Sequence, residues 1–339
     1  MTKQAYSVAV VGATGLVGVE IVTALEERGF PLAALQAYAS VRSSGDEIRC
    51  AGLTTRVELI DRARFDGTDI VFLAAGEQVA AEWAPRAADA GAVVIDTSAL
   101  FADDPAVPLV VPEVNAADVA GYTERRIVAS PDTPAIALAV VLHPVHALST
   151  VVRAVVSTFE PVSGAGRLGI AALEGQTREL MHGRSLDLEA DVHRIAFNVV
   201  PQVGEFLAGG VTRDEAYTAA ALRRLLDAPD LSTSITRVRV PSFFGTGMAV
   251  SLELGTPLSA AAARDLLRGA PGMHLYDDTE VARYPTPAEV VGQDAVCLGR
   301  LRVDEDRATL DCWLAVDNTR KGAAVNAVQI AELLARDYL

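Results

Sequence analysis

A continuous apolar run, Val8–Val11, passes without a linker into Gly12-Ala13-Thr14-Gly15-Leu16-Val17-Gly18, and this junction restricts the chain more than any other feature. An apolar run without alternation suits a central strand buried on both faces. Glycines at this spacing, opening a helix, suit a turn that brings backbone N–H groups to the pyrophosphate of a dinucleotide. Gly12 permits the tight turn, Gly15 the close approach and Gly18 the packing of helix on sheet. Thr14, Leu16 and Val17 complete the expected contact set of the loop.

The alternation of apolar strand and amphipathic helix continues to about Ile127. Strands are expected at Ser7–Val11, Leu35–Ala39, Ile70–Ala74, Val93–Asp96 and Leu109–Val111, with helices from about Leu16 to Glu27 and over Val79–Ala90. This succession predicts a parallel, doubly wound sheet. Beyond about Pro131 come longer strands, Val151–Glu160, Ile235–Pro241, Met248–Leu254, Ala295–Val303 and Ala308–Asp317, which read as a mostly antiparallel sheet. Helices near Arg167–Met181 and over Thr212–Leu226 interrupt it, the second opened by the capping-box pattern Thr212-Arg213-Asp214-Glu215. A last helix, from about Gly322 to Asp337, carries an apolar stripe (Val325, Val328, Leu333) suited to covering the first domain. The 339 residues are therefore expected to form two domains. Residues 1–131 with 318–339 make an N-terminal Rossmann-type α/β domain, and residues 132–317 a second, α+β domain for substrate and dimerisation.

Charge and cysteine usage narrow the partners. Against 29 Lys and Arg stand 44 Asp and Glu, and the net charge of −15 disfavours nucleic acid and anionic membranes. No apolar run approaches the roughly 20 residues that cross a bilayer. The opening Met1-Thr2-Lys3-Gln4 leads straight into a strand and leaves no room for a signal peptide, so a cytoplasmic protein is expected. The cysteines, Cys50, Cys297 and Cys312, are odd in number and far apart, which argues against a disulfide framework and against a metal site. Cys297 and Cys312 sit in alternating, strand-like stretches, and all three read as small core residues.

The end of the second strand speaks to cofactor choice. NAD enzymes commonly place an acid there for the ribose 2′-hydroxyl. This chain reads Ala39-Ser40-Val41-Arg42-Ser43-Ser44-Gly45. A guanidinium flanked by the Ser40 and Ser43 hydroxyls suits a 2′-phosphate, so NADP is the expected cofactor.

The order of segments resembles the aspartate-semialdehyde dehydrogenase family over essentially the whole length. The matching stretches are Val10–Gly18, Ala39–Gly45, Ala90–Ser98, Val107–Asn115, Ser157–Gly166, Ile195–Val203, Arg237–Pro241 and Asp317–Glu332. Val162-Ser163-Gly164-Ala165-Gly166 and Asp317-Asn318-Thr319-Arg320-Lys321-Gly322-Ala323-Ala324 are the most specific. The resemblance adds Ser163, Gly164, Asn318 and Gln329 to the cofactor contacts and implies a homodimer formed by the second domain. It also implies a reaction in which a cysteine adds to the semialdehyde, hydride passes to NADP and the acyl group leaves on phosphate.

That chemistry needs an activated nucleophile and a general base. Thr133, in Ala129-Ser130-Pro131-Asp132-Thr133, stands where the cysteine belongs, and Thr246 where the family has its histidine. Glu160 replaces a substrate-placing glutamine and, as a carboxylate, is expected to repel an acidic substrate. Ala102 replaces a phosphate-binding arginine, and Ala221 a glutamate, while Arg224 keeps one basic position. Arg239 matches the arginine for the substrate carboxylate. The histidines fall elsewhere: His143 and His146 near a helix end, His182 and His193 in the inserted helical region, and His274 in a loop. The chain is thus similar to the Usg-type branch that lacks the catalytic cysteine, an NADP-binding protein without the phosphorylating reaction. The alternative is an active NADP oxidoreductase whose polar set, Asp132, Thr133, Glu160 and Arg239, serves another carbonyl substrate or, as the lesser case, aspartate semialdehyde itself.

Overall fold

The computed structural model describes residues 4–188 and 193–339; the opening Met1-Thr2-Lys3, from which a cytoplasmic protein was expected, lies outside them. The chain forms two compact units, Met1–Asp132 with Thr319–Leu339, and Thr133–Asn318.

The first unit runs β1 (Tyr6–Val11), α1 (Leu16–Glu27), β2 (Leu32–Ala39), β3 (Glu47–Cys50), β4 (Leu53–Leu59), β5 (Ile70–Leu73), α2 (Glu77–Asp89), β6 (Val93–Asp96), α3 (Pro112–Asn115) and β7 (Ile127–Ala129). Its seven-stranded sheet has the order β3-β4-β2-β1-β5-β6-β7. All neighbours are parallel except the edge strand β3, which pairs antiparallel with β4. The apolar run of β1 occupies the middle, where burial on both faces is required. The β3–β4 hairpin escapes a search for strand-helix alternation because it is short and half exposed. It closes on Ala51-Gly52, both with positive φ, as a two-residue hairpin loop demands. Leu109–Val111 is not a strand. Leu109 makes an isolated bridge to Ala129, and Pro108 and Pro112 on either side leave too few N–H donors to extend it.

The second unit holds α4 (Thr133–Leu148), β8 (Val151–Glu160), α5 (Gly166–Met181), α6 (Arg213–Leu225), β9 (Ser232–Arg239), β10 (Thr246–Leu254), α7 (Ala260–Gly269), β11 (Met273–Leu275), β12 (Val296–Asp304) and β13 (Thr309–Val316). Its six-stranded sheet, β11-β12-β13-β10-β8-β9, is antiparallel through the middle, with parallel pairs at both edges. The expected capping box at Thr212 is present: its hydroxyl accepts from the Glu215 amide, and Glu215 accepts from the Thr212 amide. Of helix α4 only an end near His143 and His146 was expected. Residues Pro134 to Leu142 are all buried, so the helix has no polar stripe to give it a 3.6-residue signal.

The chain then returns to the first unit. Arg320–Ala324 forms a π-helical turn ahead of α8 (Val325–Asp337), so the last helix starts earlier and less regularly than expected. Val325, Val328 and Ile330 are buried in one cluster with Val8, Val10, Ile21 and Leu25, and Leu333 packs against its margin. No helix among the described residues is long and apolar enough to cross a membrane.

Candidate functional site

In the first unit, the loop from β1 to α1 is made by backbone. Gly12 has φ +85°, and a Cβ on Gly18 would lie 2.1 Å from the Gly12 carbonyl oxygen, so neither position accepts a side chain without rebuilding the turn. The Gly12 and Ala13 amides donate to the Tyr38 carbonyl at 2.8 and 3.1 Å, which ties the loop to the end of β2. Gly15 spends its own N–H on the Gly12 carbonyl at 2.8 Å and, as N-cap of α1, supplies no side-chain cap. The amides of Leu16 and Val17 therefore open the helix without intrahelical carbonyls, at the positive end of its dipole. Two residues beyond Tyr38, Ser40 caps a one-turn 3-10 helix, Val41–Ser43, on which Arg42 is exposed and Ser43 half-buried. The glycine loop and the Ser40–Ser43 turn are thus neighbours.

Gln329 is engaged elsewhere in the same unit. Lys321, fully buried, donates to both Glu113 oxygens at 2.8 and 2.7 Å and to Gln329 Oε1 at 2.8 Å, and Gln329 Nε2 donates to Glu113 at 2.9 Å. Burial alone would raise the Glu113 pKa, but the charge and hydrogen bond of Lys321 outweigh it and hold the carboxyl below its ordinary range. This triad fixes the π-helical turn against α3.

The second unit gathers the remaining expected residues around Asn318. The Thr133 hydroxyl, on the first residue of α4, donates to the Asn318 carbonyl at 3.2 Å. Asn318 Oδ1 accepts from the Gly245 amide at 3.0 Å, and Nδ2 donates to Ser163 Oγ at 3.0 Å. Thr246, next to Gly245 and only 1% exposed, begins β10. Thr133, Ser163, Asn318 and the Gly245 amide therefore meet in one small polar cluster, and Thr246 follows Gly245 in the chain.

Glu160 corrects an expectation. Its carboxylate is buried in a bidentate pair with Arg237, Nε to Oε1 at 2.7 Å and Nη2 to Oε2 at 3.0 Å, and the Thr158 hydroxyl adds a third bond at 2.8 Å. Arg237 also donates to the Asp214 carbonyl and the Thr218 hydroxyl, while its amide donates to Glu215. Glu160 is therefore neutralised in place and is not a free repelling charge. Arg239 pairs in register with Glu160 across β8 and β9, donates Nη1 to the Pro161 carbonyl, and packs over Gly164, where a Cβ would sit 2.7 Å from Nη1. Burial pulls the Arg239 pKa below its ordinary value, with Glu160 opposing and Arg237 adding to the fall.

Ala102 is buried in the first unit, close in sequence to Asp96 at the end of β6. Asp96 accepts from the Ser98 amide and hydroxyl, each at 3.0 Å, and burial pushes its carboxyl up to about 6. Ala221 is buried in α6 beside Leu222, and Arg224 lies one turn further along the same helix. The histidines that bond do so elsewhere. His146 Nδ1 accepts from the Val151 amide, His182 Nδ1 lies 2.8 Å from the Arg178 carbonyl, and His193 is exposed. His274 falls in β11, not in a loop, because the three residues Met273–Leu275 pair with β12; its ring meets Tyr276 edge-on. Cys50, Cys297 and Cys312 are free and buried, and burial pushes their thiols up to about 11, 11 and 12. No group of His, Cys, Asp and Glu suited to a metal ion occurs among the described residues.

Two family models match, one described as semialdehyde dehydrogenase, NAD binding domain, over residues 7–122, the other as semialdehyde dehydrogenase, dimerisation domain, over residues 142–321. An aspartate-semialdehyde dehydrogenase from Aquifex aeolicus is 40% identical over 98% of this chain and 99% of its own. The chain belongs to the aspartate-semialdehyde dehydrogenase family. The solved structure of aspartate semialdehyde dehydrogenase II complexed with ASA from Vibrio cholerae superposes with a TM-score of 0.95 at 39% identity, covering 99% of this chain and 100% of that one. A probable aspartate-semialdehyde dehydrogenase from Pseudomonas aeruginosa gives 0.92 at 35% identity, covering 99% and 100%. The aspartate-semialdehyde dehydrogenase fold thus spans both units, a Rossmann-type one with a nicotinamide-dinucleotide domain and a mixed-sheet one with a dimerisation domain. Two residues of consequence were named only within matching stretches, with no role of their own: Arg237, whose alternate position to Val238 on a strand gives no hint of a carboxylate partner, and Lys321, visible only as part of a signature.

Proposed function

We propose that this chain is a cytoplasmic, homodimeric, NADP-binding member of the family that does not carry out the phosphate-dependent oxidation of aspartate semialdehyde and instead works as a ligand-binding or regulatory protein. The supporting observation is the hydroxyl cluster: at the N-terminus of α4 a threonine donates to a backbone carbonyl, and beside Gly245 a second threonine is buried. A hydroxyl without a base is a far weaker nucleophile than a thiolate. The cysteines do not offer a substitute, since each is buried with its thiol pKa raised. NADP in place of NAD is supported by Arg42 between Ser40 and Ser43, with no acid at the end of β2.

The purified protein should show no phosphate-dependent NADPH formation from aspartate semialdehyde, followed by absorbance, and Thr133→Cys alone should not restore it. A missing general base by itself costs about 10²–10⁴ in rate. Robust turnover by the natural protein overturns the proposal; turnover by Thr133→Cys alone would mean that a base other than position 246 serves the site.

A further inference from the structure

At the outer end of the second unit's sheet, a cavity of about 260 Å³ opens between α7 and the edge strand β11. Helix α7 packs on β11, β12 and α4, and α4 packs on β12 and β13. This helix layer covers the face opposite the one on which Trp313 meets Pro285. The cavity therefore stands at the margin of the sheet, on the side of α7, apart from the open face of β10, β13 and β12 that the proposed homodimer would cover. Arg264 and Arg268, one turn apart on α7, line one side of it, and Tyr276, Asp277, Asp278 and Arg283 line the other.

These charges fall into two sets. Arg264 Nη2 donates to Asp277 Oδ2 at 2.9 Å and to the Leu301 carbonyl at 3.3 Å, and Asp277 Oδ1 accepts from the Leu301 amide at 3.3 Å. That pair is a strut between α7 and β12. The other charges are not joined to one another. Asp278 and Arg283 stand opposite each other across a turn and exchange both backbone hydrogen bonds, at 3.0 and 2.7 Å. Opposite charges so placed have Cβ atoms about 5 Å apart and ordinarily attract each other into a pair. Here they form no ion pair among the described residues: the Arg283 guanidinium lies 5.6 Å from the centre of the Tyr276 ring, and Asp278 Oδ1 accepts from the Glu280 amide at 3.2 Å. Arg268 pairs with Asp265 at 2.8 Å on the exposed surface of the same helix, a contact worth little in water.

We propose that this cavity binds an acidic α-amino acid, its two carboxylates on Arg268 and Arg283 and its ammonium on Asp278. With Arg264 and Asp277 spent on each other, two guanidinium groups and one carboxylate remain, which mirrors the charges of that ligand. Guanidinium forks take carboxylates bidentately. A phosphate would meet the same arginines but would be repelled by Asp278, and a neutral sugar would leave every charge unpaired. The size, at the small end for ligand sites, which begin at roughly 300 Å³, suits one small metabolite.

Calorimetric titration of the intact protein with L-glutamate should give saturable heat. Glutarate, which lacks the ammonium, and L-glutamine, which lacks one carboxylate, should each bind roughly tenfold or more weakly. Asp278 and Arg283 are exposed, so Asp278→Asn and Arg283→Gln should both keep the fold by circular dichroism. Arg283→Gln should weaken L-glutamate by a similar factor, whereas Asp278→Asn should weaken L-glutamate and leave glutarate no weaker, since only the ammonium loses its partner. Light scattering should give the same mass with and without L-glutamate, as a site outside the dimer contact requires. Absence of saturable heat, glutarate binding as tightly as L-glutamate, unchanged affinity in folded Arg283→Gln, or a mass that changes with ligand would each overturn the proposal. None of these readouts depends on the NADP site or on whether the chain oxidises a semialdehyde.

Discussion

In the first unit the glycine loop at Gly12–Gly18 is shaped by close backbone contacts, whereas around Asn318 in the second unit the frame is one thing and the side chains mounted on it another. The Asn318 side chain bridges the Gly245 amide and Ser163, and its carbonyl takes the Thr133 hydroxyl. None of those bonds needs a thiol at position 133 or an imidazole at 246. At Gly12 and Gly18, by contrast, any side chain would meet the backbone itself. A site made from backbone sterics resists point substitution, because changing it disturbs the fold. A site made from side chains mounted on an independent frame can be exchanged residue by residue.

The largest expected effect probes whether the side chains of the candidate site are themselves tied into the fold. Glu160→Gln removes one partner of the buried pair with Arg237 and should lower the unfolding free energy by about 3–5 kcal/mol. Glu160→Gln with Arg237→Met should recover most of that loss in urea titration. A single variant as stable as the natural protein would return Glu160 to the role of a free carboxylate.

Asp96 tests whether the first unit also has a part that depends on a side chain. Its folded pKa of about 6 lies above the ordinary 3.8, so between these values the folded state binds more protons than the unfolded chain. Stability should therefore fall as pH rises from about 4 to 6, by on the order of 3 kcal/mol in full, and stay low above that. Asp96→Asn should show no such slope in denaturant midpoints across the window; an identical slope would assign the effect to another group. The smallest effect concerns the cofactor alone. Arg42→Ala should weaken NADP by roughly 10- to 100-fold in calorimetric titration and leave NAD unchanged, and equal losses for both would remove the argument from the 2′-phosphate.

The Rossmann-type unit was legible because its signals are local. The β1 run, the glycine spacing and the α1 stripe each obey a short-range rule, and Val93–Asp96 and Leu16–Glu27 occur as expected. Most of helix α4 was illegible because burial of every residue from Pro134 to Leu142 erases periodicity, and the β3–β4 hairpin because an edge strand has no apolar run. In the candidate site, Thr133, Glu160 and Thr246 were singled out through the family resemblance. Their partners were not: Arg237 reaches Glu160 only through parallel pairing of β8 with β9, strands separated by two helices. A charge read alone suggested repulsion, and its neighbour across the sheet reverses the sign.

The hydroxyl at position 133 also decides how this chain meets oxidants. Peroxide and electrophiles attack thiolates, and susceptibility follows thiolate fraction and exposure. With a threonine at the head of α4 and the thiols of Cys50, Cys297 and Cys312 buried and protonated at neutral pH, the described residues offer an alkylating agent no exposed thiolate, and the sulfur most open to peroxide is that of Met181, 73% exposed on α5. Peroxide should therefore mark this chain as methionine sulfoxide on α5, far in sequence from Thr133, and leave its cysteines as thiols.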